Sequence, residues 1–414
     1  MSPFLELAFV LAVILLAAKL AGYLSTRLGQ PSVLGELIVG LLLGPTLINL
    51  THLAFIHDSA LLDEFIKTFG EMGVLLLMFL AGLELHINDL ARNMRVAAFA
   101  GILGDIIPIS LGIIAGLLLK MEINQAVFLG LTLAATSISI SAQILIEMKA
   151  LRSKVGLGLL GAAVFDDILV IFLFSTFLAL NSGGNGLVAI LEIVGRMVIF
   201  LTLSVLFGLK VLPLLTRRVT RLPISQGILS LAIVIILAFG LAAEIIGGMA
   251  AITGTFLAGL MFARTPEKRE LDQGIHALSH SLFVPIFFVS IGIQINLREI
   301  STKSALMALL LVLIAITGKF IGATLGAKLA NFSLSEAVQL GSGMIPRGEV
   351  SLIISAVGLT EGLIDNQIFA AIIAMVLVSD LITPTILRYT FTRLHSPMNS
   401  SVASSDPPTL KEIS

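Results

Sequence analysis

Apolar runs of membrane-crossing length recur along the whole chain, separated by short polar loops. Thirteen stand out, at about 4–24, 33–50, 67–85, 93–119, 124–147, 154–180, 187–213, 226–246, 248–264, 276–297, 304–329, 334–358 and 367–392. A helix needs about 20 apolar residues to cross the hydrocarbon layer, so the pattern predicts an all-α polytopic membrane protein of about 13 transmembrane helices. The second run is short and interrupted by Gly40 and Gly44-Pro45; the eighth and ninth are divided only by Ile246-Gly247-Gly248. The first run lacks a basic leader and is too long for a signal-peptide core, so it reads as a retained span. From Ser396 onward the sequence SPMNSSVASSDPPTLKEIS reads as a disordered tail.

Basic residues orient the runs. With the N-terminus outside, fifteen arginines and lysines fall on the cytoplasmic edges, among them Arg92, Arg95, Arg152, Arg217 and Arg218; the opposite side holds four, Lys67, Lys120, Arg298 and Lys303. The expected topology is N-terminus out and C-terminus cytoplasmic. The composition agrees with a membrane protein: 57% of residues are hydrophobic and 12% charged, against about 25% charged in soluble domains. A net charge of -1 gives no basic surface for nucleic acid, and the absence of cysteine excludes disulfides, thiolate metal sites and cysteine nucleophiles. No phosphate-binding loop, dinucleotide fingerprint or Ser/His/Asp arrangement is present, which speaks against an enzyme, an ATP-driven pump or a cofactor. No soluble regulatory domain is expected after the last span.

Against this background, polar groups inside the runs carry the chemistry. Asp166 and Asp167 lie side by side in VGLGLLGAAVFDDILVIFLFSTFLAL (155–180), which holds no other charge. A carboxylate at the bilayer centre costs about 3 kcal/mol or more, so an acid there is a functional candidate by default. Consecutive helical residues point about 100° apart, so one aspartate can face a basic neighbour while the other faces a cavity. Lys319, deep in the eleventh span, needs a carboxylate partner or must lose its proton, and Asp166 is the natural partner by charge. The fifth span crowds Thr132, Thr136, Ser137, Ser139, Ser141 and Gln143 into LTLAATSISISAQIL, and the twelfth carries two glycines, Pro346, Arg347 and Glu349 in QLGSGMIPRGEVSLI. Both read as helices broken at mid-membrane, tolerated only where buried or lining a watery cavity. The two are seven spans apart, an odd offset, so equivalent spans run in opposite directions, the mark of inverted repeats around a transport site.

Other charges take plainer readings. Arg347 and Glu349 are expected as structural charges at the broken helix, with Glu71 or Glu349 as a partner for Arg347. Asp105, beside Pro108 in the fourth span, is either a structural partner or a second proton site. Glu244 is an end-of-helix charge, Glu192 and Arg196 are end-of-helix charges or a local pair, and Lys328 is an interfacial anchor. His276 and His280, at i, i+4 beside Asp272, are open to an interfacial, a pH-sensing or, without a third firm ligand, a metal-binding role.

The segments PSVLGELIVGLLLGP, GVLLLMFLAGLEL, GAAVFDDILVI, GTFLAGLMFA, FVPIFFVSIGIQIN and GMIPRGEVSLI, with the serine- and threonine-rich fifth span, resemble those of bacterial monovalent cation:proton antiporters of the second subfamily, the sodium/proton exchanger group. The resemblance covers nearly the whole chain. It implies a homodimer in a bacterial inner membrane, active in pH homeostasis, in which 1–92 and 187–297 supply dimerisation and linking helices. Residues 93–180 and 304–395 would form a six-helix core around two crossed, broken helices, moving as an elevator. It implies Asp167 as the main ion-binding carboxylate, Asp166 as its companion paired with Lys319, and Thr136 and Ser137 beside the ion. A double aspartate implies electrogenic exchange. Asp105 has no counterpart in the pattern. The expected function is exchange of Na+ or Li+ for H+; K+/H+ exchange on the same scaffold is the alternative, and a cation channel or membrane sensor a third.

Overall fold

The computed structural model describes residues 2–85, 93–181, 186–294 and 302–393, and the expected tail from Ser396 lies outside them. Among the described residues every regular element is helical. In chain order these are α1 (Pro3–Arg27), α2 (Ser32–Leu43), α3 (Ser59–Glu84), α4 (Met94–Leu118), α5 (Ile123–Ala134), α6 (Ile138–Glu147), α7 (Lys154–Asn181), α8 (Gly186–Leu206), α9 (Leu212–Val219) and α10 (Gly227–Ala242). They are followed by α11 (Ala251–Phe262), α12 (Lys268–Leu278), α13 (Val284–Ile293), α14 (Thr302–Leu329), α15 (Leu334–Gly343), α16 (Glu349–Thr360) and α17 (Asn366–Arg393). Wide π turns join α8 to α9 and α12 to α13, and another ends α10 at Gly247.

Ten helical segments among the described residues are long and apolar enough to cross a membrane. Three expected spans fall short of that: Ser32–Leu43, Ala251–Phe262 and, after the break in the twelfth, Val350–Leu359. The doubtful boundary between the eighth and ninth runs is a true turn, because Gly248 adopts φ +60°, a left-handed conformation that costs glycine little. Side chains fix several starts: Asp58 accepts from Leu61 N at 3.0 Å, and Ser333 with Glu336 forms a reciprocal capping box.

Two packing groups meet along α6. Helices α4, α5, α7, α14, α15 and α17 pack on one another, and α1, α2, α3, α10, α11 and α13 do the same. Ile140 and Ile144 of α6 lie in a buried cluster with Leu37 of α2, Met78 of α3 and Phe288 of α13 on one side, and Leu159 of α7 and Leu340 of α15 on the other. The fifth span is accordingly 94% buried over its apolar window, whereas the first is 22% buried. The broken helix is thus the centre of the molecule, while α1 presents apolar side chains outward.

Helices α4 and α14 approach unusually closely. Gly322 and Gly326 recur at i, i+4 on α14, and a Cβ at either would fall on the carbonyl oxygen of Leu103 or Phe99 of α4. Small residues at this spacing let two backbones touch. Gly104 completes the seam, with room for a Cβ 3.6 Å from Lys319 Cε.

Candidate ion-exchange site

Two interrupted helices cross at the middle of the molecule. The first break, at Ala135–Ser137, separates α5 from α6; the second, at Met344–Gly348, separates α15 from α16. Their stretches of extended backbone are bonded to each other: Ser137 N donates to Pro346 O at 2.9 Å. The contact requires glycine at 348, where a Cβ would sit 2.5 Å from Ser137 Cβ. Each break also lends a serine to the other. Ser141 Oγ donates to Gly343 O at 2.6 Å, and Ser351 Oγ to Ala135 O at 3.1 Å. The last carbonyls of a helix have no partner within it and carry partial negative charge, so these hydroxyls answer a real need.

The C-terminal end of α5 also draws two cations. Lys319 Nζ donates to Ala134 O at 2.8 Å, and Arg347 Nη1 to the carbonyls of Ala134 and Ala135 at 2.9 Å each. Arg347 Nη2 reaches Ala315 O of α14 at 2.7 Å. Lys319 and Arg347 are wholly buried, as are Asp105 and Asp380. A lone buried ion costs several kcal/mol, and the structure supplies partners. Lys319 Nζ pairs with Asp105 Oδ1 at 2.6 Å and with Asp166 Oδ1. Arg347 has its backbone N–H on Asp380 Oδ1 at 3.0 Å, and its guanidinium is held by the three carbonyls.

The expected division of the two aspartates is present. Asp166 turns toward Lys319, and Asp167 leaves the other side of α7 toward α11, where Thr253 Oγ1 donates to Asp167 Oδ2 at 3.1 Å. Asp167 lines a small cavity with Ile138, the first residue of α6, and with Met78, Ile252 and Phe256. Thr136 and Ser137 lie in the break just before Ile138. The Thr136 hydroxyl donates to Ala134 O at 3.3 Å, and that of Ser137 shares a bond with Ser139 Oγ at 2.9 Å. The backbone of Glu349 opens α16, but its side chain lies outside the described residues.

Several expectations need correcting. Glu71 is exposed on α3 and is not the partner of buried Arg347; three carbonyls take that place. Asp105 is a direct partner of Lys319, so Asp166 does not hold the ammonium alone. Arg196 makes no local pair with Glu192 but donates to the carbonyls of Ile245 and Ile246, at 2.6 and 3.1 Å. His276 and His280 stack with ring centroids 4.0 Å apart, and His280 Nε2 meets Gln143 Oε1 at 3.2 Å. No group of three metal-ligating side chains occurs among the described residues, and Lys328 is exposed in the last turn of α14.

Two residues of the site escape sequence reasoning. Asp380 carries a clear signal, a lone acid in IFAAIIAMVLVSDLITP. Thr253 carries none: a hydroxyl in an apolar helix usually bonds its own backbone, as Thr255 does to Ile252 O.

Comparison with known proteins agrees with this geometry. The sequence profile described as "Sodium/hydrogen exchanger, transmembrane" matches residues 12–393. The Na(+)/H(+)-K(+) antiporter GerN of Bacillus cereus is 39% identical over 396 residues, covering 96% of this chain and 99% of its own length. A Na(+)/H(+) antiporter of Enterococcus hirae is 35% identical over 386 residues, 93% of this chain and 98% of its own. Among solved structures, the sodium proton antiporter MjNhaP1 of Methanocaldococcus jannaschii superimposes with a TM-score of 0.68 at 18% identity, covering 96% of this chain and 100% of its own. That last likeness speaks for the fold alone. With two breaks crossing in the membrane, an acid pair beside them and a family match over nearly its whole length, the chain is a multi-pass membrane protein that belongs to the sodium/hydrogen exchanger family.

Proposed function

We propose that this protein is a secondary antiporter that exchanges Na+, or Li+, for H+, and that Asp167 is its cation carboxylate. One observation carries the reading: Asp167 lines a cavity beside the helix crossing, while its neighbour Asp166 is held from behind by Lys319. A small hard cation takes oxygen ligands. The carboxylates of Asp167 and Asp166, with oxygens of Thr136 and Ser137 from the break, form such a set. A proton and a cation then compete for the same carboxylates, so binding one expels the other. A fixed ammonium beside the site opposes free cation conduction, which favours exchange over a channel.

The packing supports a division of labour. Residues 93–180 and 304–395 carry the crossing and form the moving core; residues 1–92 and 187–297 form the scaffold and the homodimer contact. Alternating access follows as an elevator movement of the core against the scaffold, with the N-terminus outside and the C-terminus cytoplasmic in a bacterial inner membrane. Potassium/proton exchange is a second reading, because the relative GerN is named for both ions.

The test is dequenching of a pH-sensitive dye in proteoliposomes on addition of Na+, Li+ and K+ in turn. Sodium-driven proton movement lost in a folded Asp167→Asn variant is the expected result. A response to potassium alone would favour the second reading, and none to any ion would overturn both.

A further inference from the structure

Among the side chains that line the cavity at Asp167, one polar group comes from outside the core: the hydroxyl of Thr253, which donates to Asp167 Oδ2 at 3.1 Å. Its direction follows from where α11 begins. Hydroxyls deep in a helix bond the preceding turn of their own backbone, as Thr132 does to Phe128 O, Thr383 to Ser379 O and Thr255 to Ile252 O. Thr253 is the third residue of α11, close behind the left-handed turn at Gly248. No turn of α11 precedes it, and its hydroxyl reaches across to α7 instead. Helix α11 itself is bedded on the scaffold. A Cβ at Gly254 would fall on the Phe239 carbonyl oxygen of α10, and one at Gly259 on that of Phe79 of α3. Backbones in such contact move together, so Thr253 rides with α3 and α10 while Asp167 rides with α7.

We propose that Thr253 is a ligand of the transported cation, supplied by the scaffold to a site otherwise built from the core. The proposal rests on the exchanger reading above and deepens it. Neighbouring ligand oxygens around a small hard cation stand roughly 3 Å apart, as metal–oxygen distances of roughly 2.0–2.6 Å require. The Thr253 and Asp167 oxygens already have that spacing. A hydroxyl carries two lone pairs besides its hydrogen, so the group that donates to Asp167 in the empty site can turn and present its oxygen to an ion lodged there. The other scaffold side chains lining the cavity, Met78, Ile252 and Phe256, offer no oxygen. In the elevator movement Asp167 leaves Thr253 behind. The cation therefore has this ligand in one state only, and is held more tightly there than at the opposite face of the membrane.

The experiment measures the sodium concentration for half-maximal exchange from each face, in right-side-out and in inverted vesicles carrying the full chain. Thr253→Val keeps the shape of the side chain and removes its oxygen. It is expected to raise that concentration about 10-fold or more at one face, the size of one lost contact with a charge, without raising it at the other. Thr253→Ser, which keeps the oxygen, is expected to recover most of the loss. A rise at both faces, or one that Thr253→Ser shares in full, would trace the effect to packing and overturn the proposal. No rise at either face would overturn it as well, and so would a fall, which would mean that the hydroxyl competes with the cation. Should Thr253→Val fail to fold, Thr253→Ala is read in the same way. These outcomes bear on Thr253 alone while the wild type shows sodium-driven proton movement; absence of that movement in the wild type would remove the exchanger reading itself.

Discussion

Asp380 offers the sharpest test of what holds the crossing together. It is fully buried near the middle of α17, and its Oδ1 accepts the Arg347 N–H at 3.0 Å. Replacing it with alanine removes a hydrogen bond to a charged group, worth about 1.5–3 kcal/mol. It also leaves the buried Arg347 N–H without an acceptor, a loss of about 1–3 kcal/mol. The two figures describe overlapping losses, so the expected destabilisation of Asp380→Ala is about 1.5–3 kcal/mol. Asp380→Asn keeps an acceptor of the same shape and loses only the charge, so a smaller cost, about 0.5–1.5 kcal/mol, is expected. Arg347→Met strips donors from Ala134, Ala135 and Ala315 but keeps the backbone N–H that Asp380 accepts, so the double variant is expected near the sum of the singles. The chain has no tryptophan, so unfolding by SDS in mixed micelles is best followed by the helical circular dichroism signal. A departure from additivity of more than about 0.5 kcal/mol would mean that Asp380 couples to the guanidinium rather than to the backbone, and the account of this contact would be wrong.

Three further outcomes follow from the packing. Gly322→Val would press a side chain onto the Leu103 carbonyl, costing about 1–3 kcal/mol by overpacking; by parting Asp105 from Lys319 it would also lower exchange, read in the dye assay. Gly348→Ala would drive a Cβ to 2.5 Å from Ser137 Cβ, and adding Ser137→Gly in the same chain would recover much of the lost stability, measured by the same SDS titration. Lys154→Met removes the Lys154–Glu336 bridge of 2.8 Å, whose ends are 52% and 29% exposed; a change within about 1 kcal/mol and unaltered exchange are expected.

The breaks were legible because glycine, proline and clustered hydroxyl residues all weaken a helix, and an apolar run that only has to span the membrane has no need of them. The need of Lys319 for a carboxylate was legible too, since a buried ammonium cannot stand alone. Its choice of partners was not. That choice depends on how near α4 comes to α14, which Gly322 and Gly326 decide only once their facing helix is known. Asp380 gave the same signal as Asp166, a lone acid among apolar residues, yet its role follows from lying behind the second break, a fact of three dimensions. Glu71 failed as a partner because it lies on the exposed side of α3. The lengths of the second and ninth spans were overread, because an apolar run includes connecting residues that the helix does not: α2 stops at Leu43, before Gly44-Pro45.

The same geometry relates the two halves of the core. Each has an unbroken helix, a broken one and another unbroken one, as α4, α5 with α6, α7 and as α14, α15 with α16, α17. The exchanged serines, Ser141 onto Gly343 and Ser351 onto Ala135, give the crossing an approximate two-fold relation. Elements related in that way meet each other near the axis, as α4 and α14 do. Identical residues there would set like charges side by side, a repulsion that burial magnifies. Asp105 on α4 faces Lys319 on α14 instead, so counterparts are complementary rather than alike. Asp166 and Asp380 hold comparable places in α7 and α17, where Asp166 pairs with Lys319 and Asp380 accepts the backbone N–H of Arg347. Only Asp166 is followed by a second acid. Asp167 has no counterpart after Asp380, where Leu381 stands, so the extra carboxylate that breaks the symmetry is the one lining the cavity.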